Sequence, residues 1–230
     1  MNKFFEKHET FCLIILIALY VMVNSYCMKN FGYTSAISFI ANTIFSIVLL
    51  VLIISSKKTK FYGLTKVENA KKFLYFIPLI VIGTIGLWHG IAIKNSPSEI
   101  LFYILTMVNI GFLEEIIFRG FLFKMMAKDN VKRAIIVSAI TFGIGHIINL
   151  LNGADLIPTL MQICYAISIG YLFVIIFYKS KSLIPCIITH CLVNSLSIFN
   201  IENAISLYAS SLFLIIVPLV YAVYIKNIKE

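Results

Sequence analysis

Residues 35–56 read SAISFIANTIFSIVLLVLIISS, a stretch without a single charge, and Lys57 and Lys58 follow at once. As a helix at about 1.5 Å per residue, such a stretch covers roughly the 30 Å of a bilayer's hydrocarbon core. It predicts a transmembrane helix. Outward from it the pattern repeats, with apolar runs at 10–27, 73–93, 100–123, 134–151, 159–178, 184–199 and 204–225. Most of these reach the roughly 17–25 residues that a span needs, and 184–199 is short. The expected fold is all-α and integral to the membrane, a bundle of about eight transmembrane helices.

Composition leads to the same place. Of 230 residues, 60% are hydrophobic and 13% charged, with a mean hydropathy of +0.97. A soluble domain has roughly 45–50% apolar and about 25% charged residues, and one this small cannot bury so much apolar surface. The net charge of +9 would mark a nucleic-acid partner only if the basic residues formed a patch. They sit instead between apolar runs, so no nucleic acid is expected and their meaning is topological. Leaving aside Arg119, which lies within a run, sixteen Lys and Arg residues fall at the amino terminus, the second, fourth and sixth connections and the carboxy-terminal tail. The opposite side has Lys29 and Lys94. The positive-inside rule then places both termini in the cytoplasm, as an even number of spans requires.

Smaller features fit one transmembrane domain over 1–230, with a motif-bearing core at 100–199. Residues 11–23 have the basic flank and length of a signal-peptide core. No small-x-small site precedes Lys29, so the run is expected to be a permanent span. Cys12, Cys27, Cys164, Cys186 and Cys191 lie in or beside apolar stretches without a CxxC pair and read as small apolar side chains. The lysine-rich connection 57–72 is expected to lie against an anionic inner leaflet.

Within the spans stand groups that lipid penalises, at about 2.5–3.5 kcal/mol for each charge on insertion scales. The fourth run holds Gly111-Phe112-Leu113-Glu114-Glu115-Ile116-Ile117-Phe118-Arg119-Gly120, the fifth Phe142-Gly143-Ile144-Gly145-His146, and the seventh His190-Cys191-Leu192-Val193-Asn194. Glu115 and Arg119 are four apart, on one helical face and within reach of an ion pair; Phe142 and His146, and His190 and Asn194, share faces in the same way. Glu114 is turned about 100° from Glu115. Counted from the nearest inner-side charges, Lys124, Arg133 and Lys181, the polar groups lie roughly 14–20 Å deep. Three helices thus bring complementary groups to one level, which predicts a single buried site. His89, Asn24 and Asn109 read more simply as helix-packing groups.

The set holds no activated hydroxyl or thiol, because Cys191 and Ser195 point about 100° away from the His190 and Asn194 face. It suits water activation. Glu114 is the candidate general base, and His146 could share the water or protonate a leaving amine. His190 and Asn194 could donate hydrogen bonds to a developing oxyanion. Glu115, Arg119 and Phe142 are supporting residues, and Gly143 and Gly145 give the fifth helix a slim surface. Glu114, His146 and His190 also make a His2Glu zinc set, assembled across spans because no HExxH is present. Metal-free activation is the preferred reading and zinc the alternative.

The order Glu-Glu-x-x-x-Arg, Phe-x-x-x-His, His-x-x-x-Asn on successive membrane helices, over 114–194, resembles the type II CAAX prenyl endopeptidases. It equally resembles their bacterial CAAX-protease and bacteriocin-processing relatives, the CPBP or Abi family. The resemblance implies an eight-span helical core and intramembrane hydrolysis of a peptide or protein held at the bilayer. In it Glu114 would be the base, His146 would help to activate water, and His190 and Asn194 would form the oxyanion site, with Glu115 and Arg119 in support. The family is classed among metalloproteases, while a glutamate-activated water has also been argued for it. The rival readings are a non-catalytic immunity factor or regulatory scaffold of the same family, and a small transporter with a proton relay. Inverted repeats, the mark of many transporters, are not evident. Richness in Ile, Lys and Asn points to an AT-rich bacterial genome, hence a multi-pass protein of a bacterial plasma membrane, and makes a prenylated substrate less expected.

Overall fold

A computed structural model describes residues 8–69, 71, 76–201 and 203–228. Among the described residues eight principal helices follow in order: α1 Glu9–Phe31, α2 Ala36–Ser55, α3 Phe76–Gly83, α4 Pro97–Glu115, α5 Val131–Gly145, α6 Leu156–Ser180, α7 Ile184–Leu196 and α8 Ala204–Asn227. No strand forms among the described residues beyond one isolated bridge, Ile91 to Asn200. Among the described residues six helical segments are long and apolar enough to cross a membrane: α1, α2, α4 with its continuation to Met126, α5 with the short helix to Leu151, α6 and α8. The protein is an all-α integral membrane protein. Of the charges used above to orient it, Lys3, Lys7, Lys72 and Lys229 lie outside the described residues, as does the start of the run at 73.

The two remaining apolar runs are not full-length helices. In the third, α3 ends at Gly83, where the Thr84 hydroxyl bonds back to the Ile80 and Val81 carbonyls. A 3-10 turn, Ile85–Leu87, follows, and Gly90 adopts φ +107, a left-handed region that glycine enters without strain. The chain then pairs with the end of the seventh run through the bond from Ala92 N–H to Phe199 O at 2.8 Å. The seventh run is the 13-residue α7 with a 3-10 turn to Phe199.

Local chemistry sets the helix starts. Ser96 and Glu99 form a capping box around Pro97 at the head of α4, and Asn130 caps α5 by accepting from Arg133 N–H, which satisfies amide groups that have no partner within the helix. The bundle is built around α6, the most buried of the long helices; six successive residues, Leu172 to Phe177, are buried. A helix apolar all round belongs at such a centre. α1 instead turns Phe11, Ile14, Leu19 and Met22 outward, which lipid tolerates.

Without a hydrophobic force between helices in lipid, close approach depends on small residues. Gly143 provides it between α5 and α6, since a Cβ there would lie 2.9 Å from the Ile163 carbonyl and 2.3 Å from Ile167 Cγ1. Gly145, expected to share that role, has nothing within 4 Å of the corresponding position and faces a cavity instead. Gly143→Ala should therefore destabilise the bundle by about 1–3 kcal/mol, as overpacking does. Thermal unfolding in detergent measures this, and an unchanged midpoint would show that the two helices part freely.

The lysine-rich connection does more than face the leaflet. Lys57, Lys60 and Lys66 are exposed, but Tyr62 is buried, its ring 4.7 Å from that of Phe121. Gly63 accepts from Leu183 N–H at 2.8 Å. Burial and the charge of Glu9 push the Tyr62 hydroxyl above its usual range, so the ring stays a neutral plug at this end of the bundle.

Candidate active site

The two carboxylates of α4 belong to one connected cluster. Glu115 and Arg119 are fully buried and paired at 3.0 Å. His190 on α7 donates from Nδ1 to the same Glu115 oxygen at 2.8 Å, and its Nε2 lies 3.5 Å from Glu114 Oε2. His190 is thus held between the carboxylates, and the rotation of Glu114 away from Glu115 presents one to each ring nitrogen. Breaking either partner out of such a buried arrangement leaves an uncompensated charge.

The Arg119 guanidinium lies over the Phe142 ring at 4.1 Å and near Phe173 at 5.7 Å, a cation–π setting that favours arginine over lysine. Its room comes from Gly170, where a Cβ would stand 3.1 Å from Nη2. Arg119 Nε and Nη2 and Glu115 Oε2 have no hydrogen-bond partner among the described residues.

Directly after Glu115 the helix winds more loosely, as the π-helical segment Ile116–Phe123. Wider winding rearranges backbone bonding, and the Phe118 carbonyl accepts from Ser138 on α5 at 2.9 Å. This ties α4 to the helix that carries Phe142 and His146. On the other side Gly111 lets α7 approach, for a Cβ there would sit 2.9 Å from Cys191 Sγ. Cys191 itself bonds to the Val108 carbonyl at 3.4 Å, away from the cluster.

Glu114 opens onto a cavity of about 370 Å³ whose wall also includes Phe142, Gly145, His146 and Asn194. His146 turns Nδ1 to the Phe142 carbonyl of its own helix at 3.1 Å, which frees Nε2. His190 is absent from that wall and only 7% exposed. It stands behind Glu114, with Phe142 5.7 Å away. The arrangement brings Glu114, His146 and Asn194 to one space and sets His190, Glu115 and Arg119 behind it.

Among the described residues no three His, Cys, Asp or Glu side chains are grouped closely enough to hold a metal ion, and both ring nitrogens of His190 face carboxylates.

Sequence reasoning missed Tyr20. Its hydroxyl donates to Glu114 Oε1 at 2.7 Å, and the ring is 4% exposed. The one signal was a phenol in the middle of an apolar run. Tyr33, in the turn after α1, also lines the cavity; burial first and then the charge of Glu114 push its hydroxyl up, with Asn24 pulling the other way. His89, expected to be a packing group, bonds Ser210 at 2.9 Å, and Asn109 bonds Thr43 at 3.1 Å.

The family model for the Type II CAAX prenyl endopeptidase Rce1-like group matches residues 96–196. No curated protein and no solved structure matches the chain.

Proposed function

We propose that the chain, whose residues 96–196 match the Rce1-like model of type II CAAX prenyl endopeptidases, is a member of that family and hydrolyses a peptide bond of a membrane-associated peptide or protein with a water activated by Glu114. The observation that carries this reading is Glu114 at the wall of a cavity that it shares with His146 and Asn194. Glu114 accepts a hydrogen bond from Tyr20, which fixes the oxygen that faces away from His190.

In the reaction Glu114 takes a proton from water as the oxygen attacks the scissile carbonyl. Asn194 donates to the oxyanion, as side-chain amides do in other acyl-transfer sites. The proton then passes to the leaving amine, with His146 Nε2 as the relay. His190 acts through Glu114, holding its carboxylate from behind, and Glu115 and Arg119 hold His190. No step requires a metal. Purified enzyme is accordingly expected to keep its activity after chelation and to contain well under one metal ion per chain. Stoichiometric zinc whose removal and return track activity would replace this mechanism while leaving the hydrolase in place.

Tyr20→Phe removes one bond to a carboxylate, an interaction of about 1.5–3 kcal/mol. Catalytic efficiency should fall by about ten- to a hundredfold without loss of protein. Equal efficiency in the variant would free Glu114 of any dependence on α1. We further propose that both termini are cytoplasmic, in a bacterial plasma membrane. Reporter fusions at Asn69 and Asn130 should then read cytoplasmic, and those at Gly32, Ser98, Gly153 and Asn203 external.

A further inference from the structure

From the direction in which the cavity opens, we infer that the substrate reaches Glu114 from the face of the membrane opposite the lysine-rich loops. By the positive-inside rule that face is extracytoplasmic. The peptides taken are therefore those that carry their scissile bond on the outer side. The word substrate rests on the hydrolase reading above; the direction of access does not.

The wall lies mostly in one half of the bundle and passes the middle of the fourth span only at Glu114 and Phe118. On α1, which starts at the lysine-rich face, it begins only at Tyr20 and continues to Met28. On α4 and its π-helical continuation, which run the other way, it extends from Tyr103 down to Phe118, with Glu114 near its floor. α5 contributes its last turn, and the following loop adds Asn149, Asn152 and Ala154. α6 contributes Gln162 and Tyr165 near its start, and α7 Asn194 near its end. Apart from the Glu114–Phe118 stretch of the fourth span, which approaches Lys124, each of these segments is the end remote from Lys57, Lys132 and Lys181 in its own helix or connection.

Below the floor the core behind Glu114 is packed, and a second cavity of about 450 Å³, lined by α1, α2, Tyr62 and Phe121 on the lysine-rich side, does not include Glu114. Glu115 and Arg119 are fully buried, and beneath them Phe123, Phe177, Leu183 and Cys186 are 0–2% exposed. The inserted connection packs tightly against α6: a Cβ on Gly63 would meet the Phe177 ring at 2.3 Å. A chain terminus entering past Phe123 and Phe177 would have to displace this core to reach Glu114.

The wall above Glu114 has a consistent chemistry. It offers carboxamides at Asn24, Asn149, Asn152 and Gln162 and phenols at Tyr33 and Tyr103, and Glu114 is its one carboxylate. Such neutral donors and acceptors match the N–H and C=O groups of an extended peptide, which need partners once they leave water. They offer no counter-charge to an acidic or basic side chain. Two bonds brace the wall, from Ser25 to Asn152 at 2.7 Å and from Asn149 to Gln162 at 2.8 Å. The occupant is thus an uncharged, extended segment entering from outside.

Cysteine labelling with a membrane-impermeant maleimide tests the direction of access. The background carries Cys12→Ser, Cys164→Ser and Cys191→Ser and keeps the buried Cys27 and Cys186. Gly145→Cys reports from the depth of the cavity, where an added side chain meets nothing within 4 Å; Ala154→Cys reports from the rim and Asp129→Cys from the lysine-rich face. In intact cells Gly145→Cys and Ala154→Cys should react and Asp129→Cys should not, and sealed inverted vesicles should reverse all three. If Gly145→Cys fails to accumulate, Ser197→Cys on the same wall takes its place. Reaction of the cavity probe from the lysine-rich side, equally from both sides or from neither overturns the inference. Labelling needs no turnover, so it stands even if Glu114→Gln leaves cleavage intact, a result that would end the hydrolase reading instead.

Discussion

Glu114→Gln should lower turnover by at least about 10²-fold while the protein accumulates at its normal level. The variant keeps the shape of the side chain and an oxygen that can accept from Tyr20, whose hydroxyl lies 2.7 Å away in the wild type. It cannot take a proton from water. Because Glu114 is the partly exposed carboxylate of the pair, 14% against 0% for Glu115, losing its charge should disturb packing little. Turnover of purified protein, normalised to folded protein by size-exclusion profile, measures the effect. A tenfold drop or less would assign the base to another group. The same change at Glu115 should behave differently, with its main loss in abundance, because Glu115 supports the charges behind the site and does not face the cavity.

Arg119→Ala should cost about 3–5 kcal/mol, the penalty for breaking a buried pair by removing one partner. Glu115 is left in a layer with no exposure, still joined to His190 but without its cation. The guanidinium also fills the space between Phe142 and Phe173, so its loss opens a cavity as well. With a marginal overall stability of about 5–15 kcal/mol, this should lower the amount of folded protein severely. Arg119→Lys should rescue only part of it, for an ammonium neither stacks as a plane nor forks. Membrane abundance and thermal unfolding measure both variants; wild-type abundance of Arg119→Ala would show that Glu115 is compensated in another way.

Charge and hydrophobic period made the membrane helices legible, because each long run is a single repeated physical demand, about twenty residues without charge. The runs at 73–93 and 184–199 were harder. Composition does not distinguish a straight span from a helix that stops at Gly83 and pairs Ala92 with Phe199. In the site, spacing revealed the Glu115–Arg119 pair, since i,i+4 neighbours meet within one helix. Contacts between helices left no such mark. Spacing within α7 put His190 and Asn194 on one face but could not say that His190 would stand behind Glu114 rather than beside the cavity. The looser winding at Ile116–Phe123 and the hydroxyl of Tyr20 on Glu114 likewise arise from packing between distant segments.

The central claim is that the cavity around Glu114 cuts peptide bonds, and the most direct measurement compares the membrane peptides of cells making the wild type and Glu114→Gln at equal abundance. The account requires a set of cleavage products present with the wild type and lost with Glu114→Gln. Identical peptide sets from the two would contradict it.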